Sequence, residues 1–384
     1  MIRLSAILVA ALILTMFLVG CGSKDEVVID VVGQDYTFET SPCKRPDGEP
    51  FHIAFMDLGP PIESSWLCLK GFADGLQSMG YIDENIDFTK APEEFYAYYE
   101  FLNANNKGDM VVFDKEPYMI GMGTDDEIAD TLTKEAAAGK LDIVVATGTD
   151  PGLFLKDLNL PIPFLVCLAT DPVGAGIIDS AENTGNENIW AMVEPNPFSH
   201  QFAGYRKMLG FDNICIVSVE GLDDINGNPL YHEEAVDQGV NVLDIVMSEE
   251  ESLRSDYGQV ILDRLKDTDL GNSQAILFVY GTMDGSNAPL LSEYSGEKGL
   301  PSLIGDGDDI CESGGMMCLS CFDYEGYGHF AASVASNVFH GQKAGEQPCL
   351  YTSSPHVVLN MTTAKNTGYA TGMDFLRSVD KIFR

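Results

Sequence analysis

Short apolar runs of strand length alternate with amphipathic stretches in two successive series, and this alternation restricts the fold more than any single motif. The first series places strands at 51–58, 86–88, 141–146, 163–168 and 189–193, with helices at 64–79, 125–139 and 154–158. In the first helix Trp66, Leu69, Phe72, Ala73 and Leu76 fall at helical spacing, and Gly80 closes it. The second series has strands at 213–219, 241–247, 274–280, 301–304 and 315–322, and helices at 197–209, 231–239, 255–266, 289–294 and 324–340. Near-continuous apolar strands separated by helices predict parallel sheets covered on both faces. Two such series predict two doubly wound α/β lobes. Between them Glu194-Pro195-Asn196-Pro197 is a stiff segment suited to a crossing. Residues 91–123 carry seven crowded aromatics, from Phe95 to Tyr118, and read as an insertion, either a docked helix or part of a binding surface.

At 384 residues the chain is long enough for two domains. Its net charge of -37 repels nucleic acid and anionic membrane surfaces, which excludes both as partners through charge. Residues 1–20 hold one basic residue, Arg3, and then an apolar core ending in small residues, the pattern of a secretory signal. Residues 22–50 are polar and punctuated by Gly and Pro, as in a tether, with one short strand at 27–32. Of nine cysteines, eight lie beyond Cys21. They read as structural thiols, or as one local disulfide among Cys311, Cys318 and Cys321.

The loop at 169–178 (A-T-D-P-V-G-A-G-I-I) directly follows an apolar strand, where open α/β sheets bind ligands. Asp171 and Pro172 suit a tight turn, and Gly174 and Gly176 permit close backbone approach. Leu18-Val19-Gly20-Cys21 resembles the cleavage box of bacterial lipoproteins, which are cut before the Cys and acylated on it. The 169–178 loop itself resembles the S-D-P-V-G-A-G-L-V motif of ABC-transporter substrate-binding lipoproteins of the tryptophan- and tyrosine-binding type. The likeness extends to G-F-A-D-G-L-Q-S-M-G-Y-I (71–82), L-D-I-V-V-A-T-G-T (141–149) and F-D-Y-E-G-Y-G (322–328), and spans roughly residues 51 to 370.

That resemblance implies a type I periplasmic-binding fold of two Rossmann-like lobes joined by three crossover segments, with a ligand between them. It implies a signal peptide at 1–20, a tether at 21–50, a first lobe of 51–193 plus 322–352, and a second of 194–321 plus 353–384. It further implies a monomer anchored through Cys21 to the outer face of a membrane, with an ABC permease as partner. The aromatic 91–123 segment, the long 220–229 loop and the T-D-P-G at 149–152 depart from the family pattern.

Eight loops are expected to face the ligand, and none contains Lys or Arg. Phosphorylated or dicarboxylate ligands normally recruit such cations, so a neutral or zwitterionic ligand is expected, an aromatic amino acid first. A single carboxylate could sit on backbone N–H groups at a helix N-terminus, assisted by Ser64, Ser65, Thr147 and Thr149 around Gly148. The loops also offer Asp57, Thr170, Asp171, Glu194, Thr282, Asp284, Asp306, Asp323 and Tyr324 as candidate contacts. The carboxylates suit an ammonium group or sugar hydroxyls, and equally suit turns and caps. Trp66, Phe198, Tyr280, Phe322, Tyr324 and Tyr327 could stack on an apolar ligand portion or simply pack.

No catalytic or cofactor motif is present. Asp224-Ile-Asn-Gly-Asn228 and the Gly305–Asp309 run have the look of calcium loops but lack the Gly and distal Glu positions of an EF-hand, and read as turns without metal. The rival expectation is a sensing lipoprotein that presents a sugar or nucleoside to a receptor.

Overall fold

The computed structural model describes residues 29–31, 34–305, 307–369 and 372–384. The expected signal peptide, Cys21 and the candidate contact Asp306 lie outside the described residues. The strands are β1 (Ile29–Val31), β2 (Gln34–Tyr36), β3 (Phe51–Leu58), β4 (Val111–Phe113), β5 (Tyr118–Ile120), β6 (Ile143–Thr147), β7 (Phe164–Cys167), β8 (Ile189–Ala191), β9 (Asn213–Val219), β10 (Asn241–Met247), β11 (Ile276–Phe278), β12 (Ser302–Ile304), β13 (Met317–Ser320), β14 (His356–Asn360) and β15 (Lys381–Phe383). They form two large sheets. The first has the order β4-β3-β6-β7-β8, with β5 also on β3, and every pairing in it is parallel. The second has the order β10-β9-β11-β12-β13-β14-β15 and is parallel except where β14 runs antiparallel to β13.

Strand periodicity explains why both sheets are covered on both sides. In β3, Ile53 and Phe55 join one core while Ala54 and Met56 join another. In β9, Ile214 and Ile216 face one core and Cys215 and Val217 the opposite one. Every one of these side chains is 1% exposed or less, which is why the strands read as unbroken apolar runs.

The chain passes between the two sheets three times, at 192–196, 321–323 and 351–355. Phe322, in the second passage, packs against cores on both sides. β8 and β13 each leave for a passage from the carboxyl end. The parallel order therefore turns the carboxyl ends of β3, β6, β7, β9, β11 and β12 toward these passages.

Helix Glu63–Ser78 and helix Tyr324–Phe339 cover one face of the first sheet and touch backbone to backbone. A Cβ on Gly328 would come within 2.1 Å of the Cys68 carbonyl oxygen, and one on Gly71 within 2.0 Å of the Glu325 carbonyl. Glycine is required at both positions for that approach.

Several expectations are corrected. Residues 88–90 form a 3-10 turn, not a strand, because Asp87 caps it by accepting from Thr89 N–H. Of the two readings of the aromatic segment, the docked helix is the one found, and it is built into the sheet's own core. Helix Phe95–Asn105 buries Phe95, Tyr98 and Tyr99 in the core shared with β3, and the following residues supply β4 and β5. The expected tether is docked from Tyr36 onward, since Phe38 is 4% exposed, Tyr36 stacks on Phe330 at 6.0 Å, and Ser336 Oγ donates to the Glu39 carbonyl. Helix Thr149–Leu158 begins directly at the end of β6, so the expected T-G-T-D-P-G loop is mostly a helix start. Short helix Asp223–Asn226 and helix Asn228–Gln238 take up most of the 220–229 loop. All eight described cysteines are free thiols, so no disulfide links Cys311, Cys318 or Cys321.

Candidate ligand-binding site

Asp57 ends the inward series Ile53, Phe55, Asp57 of β3, and Thr147 ends the series Ile143, Val145, Thr147 of β6. The two are register partners, so both side chains rise on the same face at the carboxyl edge of the sheet. Asp57 is 4% exposed and Thr147 1%. Asp57 Oδ1 accepts from Leu58 N–H at 2.8 Å, the Ser65 and Thr147 hydroxyls stand close to the carboxylate, and Thr147 Oγ1 donates to the Met56 carbonyl at 3.3 Å. Its Oδ2 is buried with no geometrically sound hydrogen bond. Burial outweighs these donors and pushes the carboxyl up to about 6. A buried carboxylate oxygen in this state is poised for a cationic donor.

Two helix starts flank this carboxylate. Ser64 and Ser65 sit in the first turn of helix Glu63–Ser78, and Thr149 opens helix Thr149–Leu158 after Gly148. Gly148 has φ +102°, a conformation that favours glycine, and its N–H is bonded to the Cys167 carbonyl at 2.8 Å. Leu168, at the end of β7, also has positive φ, +59°, which is rare for a branched side chain.

The 169–178 loop closes on itself. Asp171 is exposed, and its Oδ1 accepts from Gly174 N–H at 2.7 Å. A Cβ at Gly174 would lie 2.1 Å from Asp171 Oδ2, so this glycine makes room for the carboxylate. The N–H groups of Ala175, Gly176 and Ile177 bond to carbonyls at Asp171, Val173 and Pro172. Thr170 is exposed at the loop's start. Lys156 Nζ donates to the Gly176 carbonyl. Cations therefore do reach these loops from neighbouring helices, as does Lys70, which pairs with Glu325 at 2.6 Å.

The remaining candidates fall into two other groups. Glu194 and Asp323 stand in the inter-sheet passages. Glu194 accepts from Ser353 N–H at 3.0 Å and from Ser353 Oγ at 2.9 Å, and burial raises its carboxyl to about 7. Asp323 accepts from Gly326 N–H at 2.8 Å and from Tyr351 at 2.7 Å. Thr282 and Asp284 follow β11: Thr282 Oγ1 donates to the Val279 carbonyl at 2.7 Å, and Asp284 accepts from Ser286 and Asn287, which holds its carboxyl below the usual range. The residues brought together around one carboxylate are thus Asp57, Ser65 and Thr147.

Aromatic rings line the passages. Phe322 and Tyr324 stack with centroids 5.9 Å apart and planes at 10°, and Phe198 meets Phe322 edge-on at 5.5 Å. Trp66, in the first turn of its helix, has a buried Nε1 without a hydrogen-bond partner. Sequence reading missed Ser353 and Tyr351. The only trace of them is the hydroxyl-rich run Y-T-S-S ahead of Pro355, which has no intrinsic bias toward a carboxylate far along the chain. Among the described residues no group of three or more His, Cys, Asp or Glu could hold a metal ion.

Two mainly parallel sheets joined by three passages, with a polar site at their carboxyl edges, are the architecture of a type I periplasmic-binding fold. The chain belongs to the ABC transporter substrate binding protein family, whose model matches residues 114–381. As a member of that family it is a substrate-binding protein of an ABC transporter, a binding protein rather than an enzyme. It is 21% identical over 374 residues to a tyrosine-binding protein of Clostridioides difficile, covering 94% of this chain and 91% of that relative. Two solved structures show the same fold. One is an ABC domain in complex with L-Trp from Streptococcus pneumonia, with TM-score 0.58 and 18% identity over 86% of this chain and 100% of that one. The other is the ligand-free, open structure of a substrate binding protein with adhesive properties from Clostridium difficile, with TM-score 0.61 and 18% identity over 87% and 99%. Among the described residues no helix is long and apolar enough to cross a membrane.

Proposed function

We propose that this protein is the lipid-anchored extracytoplasmic receptor of an ABC importer and that it closes two lobes around a small zwitterionic ligand, an aromatic amino acid. The lobes are taken as 51–193 plus 322–352 and 194–321 plus 353–384. The buried Asp57 Oδ2 carries the reading. An ammonium placed there would gain a charge-assisted hydrogen bond in a site that water has largely left. The ligand carboxylate would then lie toward the starts of helices Glu63–Ser78 and Thr149–Leu158, where N–H groups and the helix dipole favour a negative charge. Ser64, Thr149 and the exposed Thr170 supply hydroxyls on that side. Trp66, Phe322 and Tyr324 provide rings for an aromatic side chain, and the names of the relatives, one tyrosine-binding and one holding L-Trp, support the same class.

Anchoring through an acylated Cys21 follows from the lipoprotein box alone, and two or three acyl chains would hold the protein on a membrane. Closure follows from a ligand that binds the closed form better than the open one. The test is calorimetric titration of the mature protein with L-tyrosine, L-tryptophan, L-phenylalanine, nucleosides, sugars, dicarboxylates and phosphate esters. Saturable binding of an aromatic amino acid is expected. Binding confined to phosphate esters or dicarboxylates would overturn the assignment.

A further inference from the structure

The three passages between the sheets converge on one hydrogen-bonded group. Glu194 lies in the first, Asp323 in the second, and Tyr351 and Ser353 in the third. Ser353 N–H contacts both Glu194 carboxylate oxygens, at 3.0 and 3.2 Å, and Ser353 Oγ contacts one of them at 2.9 Å. Asp323 N–H donates to the same Ser353 Oγ at 3.1 Å. Ser353 Oγ also lies 3.1 Å from the hydroxyl of Tyr327, from the helix that follows the second passage, and Tyr327 stands beside the Glu194 carboxylate. Tyr351 donates to Asp323 Oδ2 at 2.7 Å, closing the circuit. Ser353 is 6% exposed and Tyr327 2%, so the group is largely shielded from water.

Any change in the angle between two bodies joined this way must move these passages relative to one another. Whichever hydrogen bonds tie the passages together therefore select the hinge positions that the unliganded protein occupies. We infer that the Glu194–Ser353–Asp323 group is a clasp that positions the two lobes, and that ionisation of Glu194 loosens it. This rests on reading the chain as a hinged receptor, not on the identity of the ligand. The Glu194 carboxyl takes two donors from the third passage, Ser353 N–H and Ser353 Oγ, in a group that Tyr327 and Ser353 keep largely out of water. Burial keeps this carboxyl protonated to a higher pH than water would, so proton loss leaves a charge in the shielded group and favours hinge positions that expose it.

The titratable groups that face Glu194 are Asp323 and Cys321 from the second passage, Tyr327 from its helix and Tyr351 from the third passage. Burial lifts Cys321 to about 12 and keeps the two tyrosines protonated well beyond neutrality, so none of these three changes charge near pH 7. Burial is also the largest cause of the rise in Glu194 to about 7, with the Asp323 carboxylate adding to it. Glu194 and its clasp thus titrate in the neutral range.

The experiment is single-molecule energy transfer on the ligand-free mature protein. Fluorophores are placed by non-canonical amino acids at exposed Asp126 and Glu293, on helices over the first and second sheets. The wild type should show a distance distribution that broadens from pH 5.5 to pH 8.5 with a midpoint at about 7. Glu194→Gln should remove the midpoint. Ser353→Ala should broaden the distribution at all pH values, and Ser353→Thr, which keeps the hydroxyl, should restore the wild-type response. A pH-independent wild-type distribution, a retained midpoint in Glu194→Gln, or a wild-type width in Ser353→Ala would each overturn the inference. No ligand enters this measurement, so a failure to bind aromatic amino acids would leave its result standing.

Discussion

Asp57 and Thr147 are register partners on adjacent parallel strands, and their side chains stand side by side at the edge that faces the inter-sheet passages, the Thr147 hydroxyl donating to the Met56 carbonyl. That pairing holds a carboxylate at 4% exposure with one oxygen still lacking a partner. It is a costly arrangement for an unliganded protein and a favourable one for a protein that receives an ammonium.

Asp57→Asn keeps the shape of the side chain and removes the charge. Affinity for an aromatic amino acid should fall by about 10- to 100-fold, the range expected for losing one charge-assisted hydrogen bond of about 1.5–3 kcal/mol. Calorimetry at pH 8 measures it, and an unchanged affinity would remove Asp57 from the site.

The same substitution should stabilise the empty protein. Burial lifts the Asp57 carboxyl to about 6 from its ordinary value of 3.8, so between those values the native state holds more proton than the unfolded one. Its contribution is fully present below about pH 4 and is lost as pH rises through about 6, a swing of roughly 2–3 kcal/mol. Urea unfolding of ligand-free wild type and Asp57→Asn should therefore diverge between pH 4.5 and pH 8, with the variant the more stable at the upper end. Parallel stability curves across that window would contradict the burial argument.

Gly328→Ala places a methyl 2.1 Å from the Cys68 carbonyl oxygen and 2.4 Å from Phe72 N, both backbone atoms of the facing helix. The helices must separate, and a loss of about 1–3 kcal/mol is expected, read as a lower thermal midpoint. A midpoint equal to wild type would mean that the two helices do not sit this close.

Gly174→Ala sets a methyl against Asp171 Oδ2 and should displace the carboxylate from Gly174 N–H. The expected cost is about 1 kcal/mol in stability, the usual size of a lost local cap. A fall in ligand affinity beyond about tenfold would show that the turn also shapes the binding surface.

Cys21→Ser should move the expressed protein from the membrane fraction to the soluble fraction of the extracytoplasmic compartment. Retention of the variant on the membrane would reject lipid anchoring at this residue.

Elements with strong periodicity were legible residue for residue. Strands 51–58, 213–219 and 241–247 and helix 197–209 have the bounds read from the sequence, because unbroken apolar runs and a Pro start with a Gly stop are local signals. The aromatic 91–123 segment was not legible in the same way. Its rings have no intrinsic preference between a surface and a core, and only the presence of β3 beneath them makes the core available. The antiparallel entry of β14 beside β13 was equally hidden, since pairing direction is decided by how the chain returns from the other sheet.

For the site, the sequence alone determined that Asp57 lies near the end of one apolar strand, that Thr147 directly follows another, and that the 169–178 loop is a Pro-Gly turn after a third, because strand ends and turns are written in adjacent residues. It also placed Glu194 and Asp323 close to a crossing. Only the tertiary structure decided that Asp57 is the buried carboxylate with an unfilled acceptor, that Asp171 caps its own turn in the open, and that Glu194 is held by Ser353, 159 residues further on. The physical reason is that burial and hydrogen-bond partnership belong to pairs of groups brought together by folding, and neither is a property of a residue and its chain neighbours.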